Sequence, residues 1–338
     1  VICPYCNANL RYKQRSGRKC SQCRREFALE PKDDPLRLHD IRMRTVLERL
    51  QDGRGLRFTP VQVWYAVGRK KIPSGLGGYI ATHIGGSVAL IALTIALLAT
   101  GTVTGSEAGF AIAGALLLLV VLNICVARSR PWFVAHATIQ IPLPYDRFRR
   151  DLLNRWVEFH GAPPGLVGEG WPIPDCVAQP RCAVLCPGRS VLTCLAANDA
   201  PRTWAMNLCE RVDALPPSGP VFVLHDASLA GVAFLRQARE ALGPRALDVG
   251  LVPRVVMASA SALKLHMPRT MVDEAALHRE PLSQEEIEWL AAGWWSPIAA
   301  VPPAKLLAGL GRVIERAEQT ADPEWRRARA VGFLSWPA

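Results

Sequence analysis

Charge is what this chain lacks in its middle, and that shortage sets the layout of the whole molecule. Tyr79 to Thr100 and Phe110 to Ala127 contain no Asp, Glu, Lys or Arg, and the segment between them, Gly101 to Ser106, carries no Lys or Arg. Each run is close to the about 20 residues that cover a hydrocarbon core of roughly 30 Å at about 1.5 Å per residue. A soluble core rarely needs two such uncharged runs joined by a short turn, so a transmembrane helical hairpin over residues 78–128 is expected. Arg69, Lys70 and Lys71 precede the first run, Arg128 and Arg130 follow the second, and Glu107 lies beside the turn. The positive-inside bias then makes the chain a two-pass protein of the inner membrane with both termini cytoplasmic. No run of this kind occurs before Tyr79, so the hairpin reads as an anchor rather than a cleavable secretory signal.

Excess charge is equally missing from the C-terminal part. From Tyr145 onward 21 basic residues face 21 acidic ones, whereas residues 1–71 hold 17 Lys and Arg against 7 Asp and Glu. Almost all of the formal net charge of +11 therefore sits on the N-terminal segment. Next to anionic lipid each such cation contributes about 1 kcal/mol, which accounts for the charge without nucleic acid. Membrane lipid and a protein partner are the expected partners; nucleic acid and a merely solvated basic face are the alternatives.

Cysteine is not scarce: there are 10. A cytoplasmic compartment keeps thiols reduced, which excludes a disulfide framework. Cys3, Cys6, Cys20 and Cys23 form C-P-Y-C and C-S-Q-C on either side of the spacer Asn7 to Lys19. Each C-x-x-C points two thiolates at one ion, and two pairs complete the four soft ligands of tetrahedral zinc. The spacer suits a short hairpin with Gly17 near its tip, and Phe27 and Leu29 supply apolar contacts. For so small a module, metal binding is most of the folding free energy. Residues 1–30 resemble the zinc ribbons found at the start of many bacterial proteins. That resemblance implies a structural zinc without catalysis and a surface for protein or nucleic acid, and Arg11, Lys13, Arg15, Arg18 and Lys19 leave both open.

Residues 31–72 read as a basic helical juxtamembrane segment. Asp34 and Pro35 start a helix to about Gln51 that Gly53 and Gly55 end, and Thr59 and Pro60 start another through Val67. Inside the hairpin, His83 and Asn123 lie at similar depth and are placed to hydrogen-bond to one another. Gly105, Gly109 and Ala113 offer small surfaces for close helix packing. One His and one Asn do not make a transport path, so a pore requires oligomers.

Residues 145–338 read as a cytoplasmic α/β domain with a mostly parallel sheet. An amphipathic helix from Tyr145 to His160 presents Phe148, Leu152, Leu153, Trp156 and Phe159 on one side. Apolar strands follow at Cys182–Cys186 and Val221–Leu224, and Val249–Val252 and Arg254–Met257 are further candidates. Helices follow the first two strands, to Ala197 and to about Leu242. Ser283 to Glu286 is a capping box that opens a helix through Ala292, and Pro302 and Pro303 precede another from Ala304 to Thr320. Trp289, Trp294 and Trp295 cluster beside Pro297, as core or as a docking surface.

The strand ends carry the chemistry. Gly188 follows the first strand behind Pro187, and His225, Asp226, Ser228 and Gly231 follow Val221–Leu224. The pair of segments resembles a degenerate Toprim domain, the metal-dependent fold of topoisomerases, primases and related nucleases. That family places Glu and Gly after one strand and Asp-x-Asp-x-x-Gly after a later one. Here Pro187 stands for the glutamate and Ser228 for the second aspartate, while Gly188, Asp226 and Gly231 match. Magnesium-dependent phosphoryl chemistry needs clustered carboxylates, so the resemblance implies a scaffold kept for binding. No residue is assigned catalysis. Asp226 and His225 are the candidates for an acid/base pair, with a satisfied structural histidine as the alternative. Cys186 is a candidate nucleophile without a designated base, and Cys176, Cys182 and Cys186 lack the spacing for a second zinc.

The fold class expected is thus a multidomain membrane protein: zinc ribbon, two-helix transmembrane hairpin, C-terminal α/β domain. The expected function is that of a membrane-anchored adaptor or sensor, set by its domain combination in a multi-component bacterial system such as antiphage defence. A membrane-bound nuclease using the Toprim-like site and an oligomeric pore are the rival classes.

Overall fold

A computed structural model describes residues 1–100, 105–174, 179–268 and 273–321. The chain groups into two compact units. The first comprises Val1–Lys71, Pro142–Lys264 and the residues from Trp295; the second comprises Ile72–Ile141 with Leu265–Trp294.

The centre of the first unit is a parallel sheet of four strands, β1 (Cys182–Leu185), β2 (Met206–Cys209), β3 (Val221–Val223) and β4 (Ala246–Asp248), in the order β2-β1-β3-β4. Its strands are too short to alternate in polarity, and they do not need to, because both faces are covered. Cys182, Val184 and Phe222 point into one core with Leu192, Leu195, Leu306 and Leu310. Ala183, Leu185, Val221 and Val223 point into the other with Leu235 and Ala238. The helices Arg189–Ala197 and Pro303–Ala321 therefore serve one face and Leu229–Leu242 the other.

The domain departs from the sequence reading at three segments. Met206–Cys209, with Asn207 in its middle, is a strand that its composition did not announce; Asn207 is only 5% exposed. Arg254–Met257 is not a strand, because Pro253 opens a helix over Pro253–Ala258, where a first-turn proline loses no hydrogen bond. Val249–Val252 continues beyond the end of β4, its Val249 and Leu251 N–H groups bonding the Val223 and His225 carbonyls.

The N-terminal helices are α1 (Asp40–Gln51) and α2 (Pro60–Gly68). α1 does not begin at Asp34. Arg37 takes a left-handed φ of 50°, which no helix interior accommodates, and His39 becomes the cap, its side chain accepting the Arg42 N–H. The Asp40 carboxylate then accepts the Ala28 and Leu29 N–H groups at 3.0 Å each, tying the cysteine-rich segment to this helix. α1 ends on a left-handed Asp52, and α2 opens with the Thr59–Gln62 capping box. Tyr145–His160 is helical throughout with a π-helical stretch at Phe148–Leu153. Phe148, Leu152, Leu153 and Trp156 are buried as expected, whereas Phe159 is 42% exposed.

In the second unit α3 (Gly77–Ala99, 23 residues) and α4 (Ser106–His136, 31 residues) are the long apolar pair. None of the apolar stretch of α3 and 6% of that of α4 is buried. The two pack where Gly86 faces Leu122 and Gly78 faces Phe133. α4 continues past Ala127 and through Pro131 to His136, so Arg128 and Arg130 are helical residues. Of the expected turn Gly101 to Ser106, residues 101–104 lie outside the described residues. Asn123 does not bond His83; its amide donates to the Leu119 carbonyl of its own helix at 2.7 Å. His83 instead lies 6.0 Å from the Tyr79 ring, centre to centre. A buried fastener went unseen in the sequence: His266 is wholly buried, with Nδ1 2.6 Å from the Ala137 carbonyl and Nε2 2.7 Å from that of Ala292.

Candidate functional site

The four N-terminal cysteines converge. Their sulfurs all lie within 4.8 Å of one another, with Cys3 to Cys23 at 3.7 Å and Cys6 to Cys20 at 3.8 Å. A tetrahedron with metal–sulfur bonds of about 2.3 Å has sulfur–sulfur edges of about 3.8 Å, so the cage fits one metal ion with thiolate ligands.

The backbone explains the convergence. In the first loop Cys3 N–H bonds the Ala8 carbonyl, Asn7 N–H that of Cys3, and Leu10 N–H that of Val1. The same three bonds recur at one constant offset in the second loop, from Cys20 to Arg25, Arg24 to Cys20 and Phe27 to Arg18. Asn7 and Arg24, the residues after the second cysteine of each pair, both take the left-handed conformation, at φ 57° and 60°. The module is two copies of one knuckle. Each carries its own antiparallel bridge, Ile2 with Asn9 and Lys19 with Glu26. The spacer is consequently not a hairpin; Tyr12–Arg18 forms tight helical turns with Gly17 at φ 66°. Leu10 and Phe27, at equivalent positions, pack on the cysteines.

The basic residues of this module are partly committed within the protein. Arg15 is buried against Glu30, Arg18 pairs with Asp33, and Lys19 pairs with Glu26 at 3.0 Å. The Tyr12 and Tyr5 rings are covered by Lys32 and Arg25, at 3.6 and 5.1 Å from the centroids.

A second site lies in the α/β domain. Along the sheet, β1 is flanked by β2 on one side and β3 on the other, so the winding reverses between β1 and β3. Outside the carboxyl ends of strands at such a reversal, the loops diverge and leave a crevice. There a cleft of about 540 Å³ is lined by Cys186, Pro187 and Gly188 after β1 and by Leu224, His225, Asp226 and Ser228 after β3. Tyr65 of α2, Ser190, Phe234, Gln237 and Ile298 complete its walls. The Ser190 hydroxyl meets that of Thr59 at 2.7 Å. Residues expected only to connect ribbon and anchor thus supply part of this wall, a contribution that no local pattern announced.

The sequence candidates meet here, but not in the roles considered. His225 and Asp226 do not form an acid/base pair. His225 Nδ1 lies 2.9 Å from the Asp226 backbone carbonyl and Nε2 lies 3.0 Å from Asp248 Oδ1. Both ring nitrogens face acceptors, which only an imidazolium satisfies fully. Burial alone would lower the His225 pKa, but the Asp248 hydrogen bond and the neighbouring carboxylates outweigh it, and the net direction is upward. Burial would raise Asp248, yet its bond to His225 and the nearby cations bring it below the usual carboxylate range. Gly250 makes this pair feasible: a Cβ there would stand 2.3 Å from His225 Cδ2.

Asp226 has a different environment. Oδ1 accepts the Ile298 N–H at 2.7 Å, and burial raises the carboxyl pKa despite that bond and the charge of His225. Ser228, in the place of a second aspartate, caps the helix Leu229–Leu242 by accepting the Gly231 N–H at 3.0 Å. Gly231 is required by packing, since a Cβ there would stand 2.0 Å from the Asp226 carbonyl oxygen. The Cys186 thiol is fully buried and burial pushes its pKa up to about 12, which removes it as a nucleophile. Cys176 lies outside the described residues. Trp294 stacks beside His266 at 4.6 Å, and Trp289 and Trp295 are half-buried.

No family model, no curated protein and no solved structure matches the chain.

Proposed function

We propose that the chain is a membrane-anchored adaptor or sensor: a two-pass hairpin holds a zinc ribbon and a non-catalytic α/β binding domain at the cytoplasmic face. The observation that carries this reading is the exposure of the hairpin. Phe110 is 78% exposed, Leu117 65%, Ile95 61% and Val88 59%, on helices with no charge along their apolar lengths. In water such a surface is a large unfavourable apolar patch; in lipid it is the solvent-matched face. At about 1.5 Å per residue the 23 residues of α3 extend about 34 Å, enough to cross a core of roughly 30 Å. The longer α4 then carries Arg128, Arg130 and Trp132 beyond the hydrocarbon to the interface, where cations and tryptophan are favoured.

Zinc is the ion proposed for the four thiolates, since a closed tetrahedral sulfur site suits it and leaves no position for a substrate. The ribbon then presents a surface rather than a reactive centre. For the α/β domain, the Toprim-like resemblance is kept as a likeness of layout. The place of its first carboxylate is Pro187 and that of its second aspartate is a helix cap, so Asp226 is left alone. One carboxylate does not hold magnesium against a phosphate, which favours binding over cleavage. A setting in a multi-component bacterial defence system is part of this proposal.

The test is direct. Chain purified in mild detergent is expected to bring down a defined protein partner and to show no magnesium-dependent cleavage of DNA or RNA. Robust cleavage that Asp226→Ala abolishes would replace the adaptor reading with the nuclease one.

A further inference from the structure

The cleft at the β1/β3 reversal holds a carboxylate whose bonds within the protein leave part of its accepting capacity unused. Among the described residues that line it there is no Lys or Arg, and Asp226 is its one carboxylate. The nearest cation, His225, is turned to Asp248 at 3.0 Å. One Asp226 oxygen is bonded to the Ile298 N–H, but a carboxylate accepts at about four lone-pair positions, so capacity remains on the cleft side. Around it the wall is apolar: Val191, Leu224, Phe234 and Ile298.

We propose that this cleft binds an organic cation, a primary ammonium or guanidinium on an apolar stem, with Asp226 as its counter-ion. The inference rests on the reading of the α/β domain as a binding module and names the chemistry that module selects. The charge of His225 acts on Asp226 but the ring is bonded elsewhere, whereas an ammonium or guanidinium in the cleft would bring hydrogen bonds to the carboxylate as well as charge. The apolar wall takes the methylene stem, as it does for Lys and Arg side chains elsewhere. A phosphorylated ligand would meet Asp226 with no opposing Lys or Arg, and a divalent ion would find one carboxylate where it needs several. The cation is either a free small amine or a Lys or Arg side chain offered by a partner protein, and the two share this chemistry.

Burial raises the Asp226 pKa, and a cation bound beside it is expected to lower it. The experiment uses the full chain in detergent micelles and ligand-observed NMR titration. Pentylamine and a blocked pentapeptide with a central lysine are the probes; pentanol, inorganic phosphate and magnesium are the comparisons. Pentylamine is expected to bind more tightly than pentanol, and Asp226→Asn to weaken it by about 30-fold or more. Asp226→Asn keeps the acceptor for Ile298 and is expected to melt no lower than the parent. Gln237→Lys, at an exposed position on the cleft wall, supplies an internal ammonium and is expected to cause the same loss without touching the core. If the peptide binds more tightly than pentylamine, the cation is a partner's side chain; if not, it is a free amine. Equal binding of pentylamine and pentanol, amine binding indifferent to both variants, or binding of phosphate or magnesium without the amine would each overturn the proposal. None of these outcomes would touch the adaptor reading, which is tested separately by nucleic-acid cleavage and by membrane retention of the hairpin.

Discussion

His225 stands where an acid/base histidine would be sought, yet its ring is spent on structure. Its link to Asp248 sets a pH window for stability. The His225 pKa is raised above 6.5, so its contribution is complete below that value and fades as pH rises through the folded pKa. The Asp248 pKa is lowered below 3.8, so its contribution is complete above that value and fades as pH falls through the folded pKa. Urea melts of the full chain in detergent are expected to show the pair at full strength between 3.8 and 6.5. Asp248→Asn should remove this part of the pH dependence; an unchanged profile would contradict the pairing. Two glycines hold the same corner together. Gly231→Ala and Gly250→Ala each force an atom into occupied space and are expected to cost about 1–3 kcal/mol or more. Gly231 was legible as a motif position, but its reason was not: the Asp226 carbonyl that forbids a side chain is brought against it by the fold of the loop entering the helix. The partner of His225 was equally hidden, because Asp248 lies on a different strand.

At the scale of elements, what could be read early was what local chemistry dictates. The Thr59 and Ser283 capping boxes, the helix starts at Pro60 and Pro303 and the two cysteine pairs all depend on residues a few positions apart. The failures have a tertiary cause. β2 contains Asn207 and becomes a strand because its partner β1 and the adjoining helices enclose it. α1 starts late because Arg37 adopts a left-handed turn that its sequence does not require. The repeat of the two knuckles is a backbone property, invisible in residues that differ at most positions besides the cysteines. Its energetic consequence is testable. The module packs only a few apolar residues on its cysteines, so a metal held by them would supply most of its stability. A strong chelator is expected to unfold residues 1–30 selectively, seen as new proteolytic cuts there with the α/β domain intact. Cys20→Ser should lower the metal content from one ion per chain and produce the same cuts without chelator. Metal-free chain with an unchanged digestion pattern would show that the module folds by packing alone.

At the scale of the whole molecule, charge and hydropathy were the legible quantities. Both were distributed by segment: cations before the hairpin, balance after it, and none along the apolar runs. The two helices themselves follow from that pattern, and their exposure follows from their having an apolar surface on every side. What sequence position could not convey is that α2 contributes Tyr65 to a cleft in the distant α/β domain. The cleft at the β1/β3 reversal and the four-cysteine module belong to the first compact unit, and the hairpin belongs to the second.

The adaptor reading stands or falls with lipid surrounding the hairpin. Membranes from cells producing the full chain, washed with alkaline carbonate, test it most directly. The chain is expected to stay with the membrane pellet through the wash and to be released only by detergent. Recovery of folded chain in the detergent-free aqueous fraction would contradict a membrane-embedded hairpin.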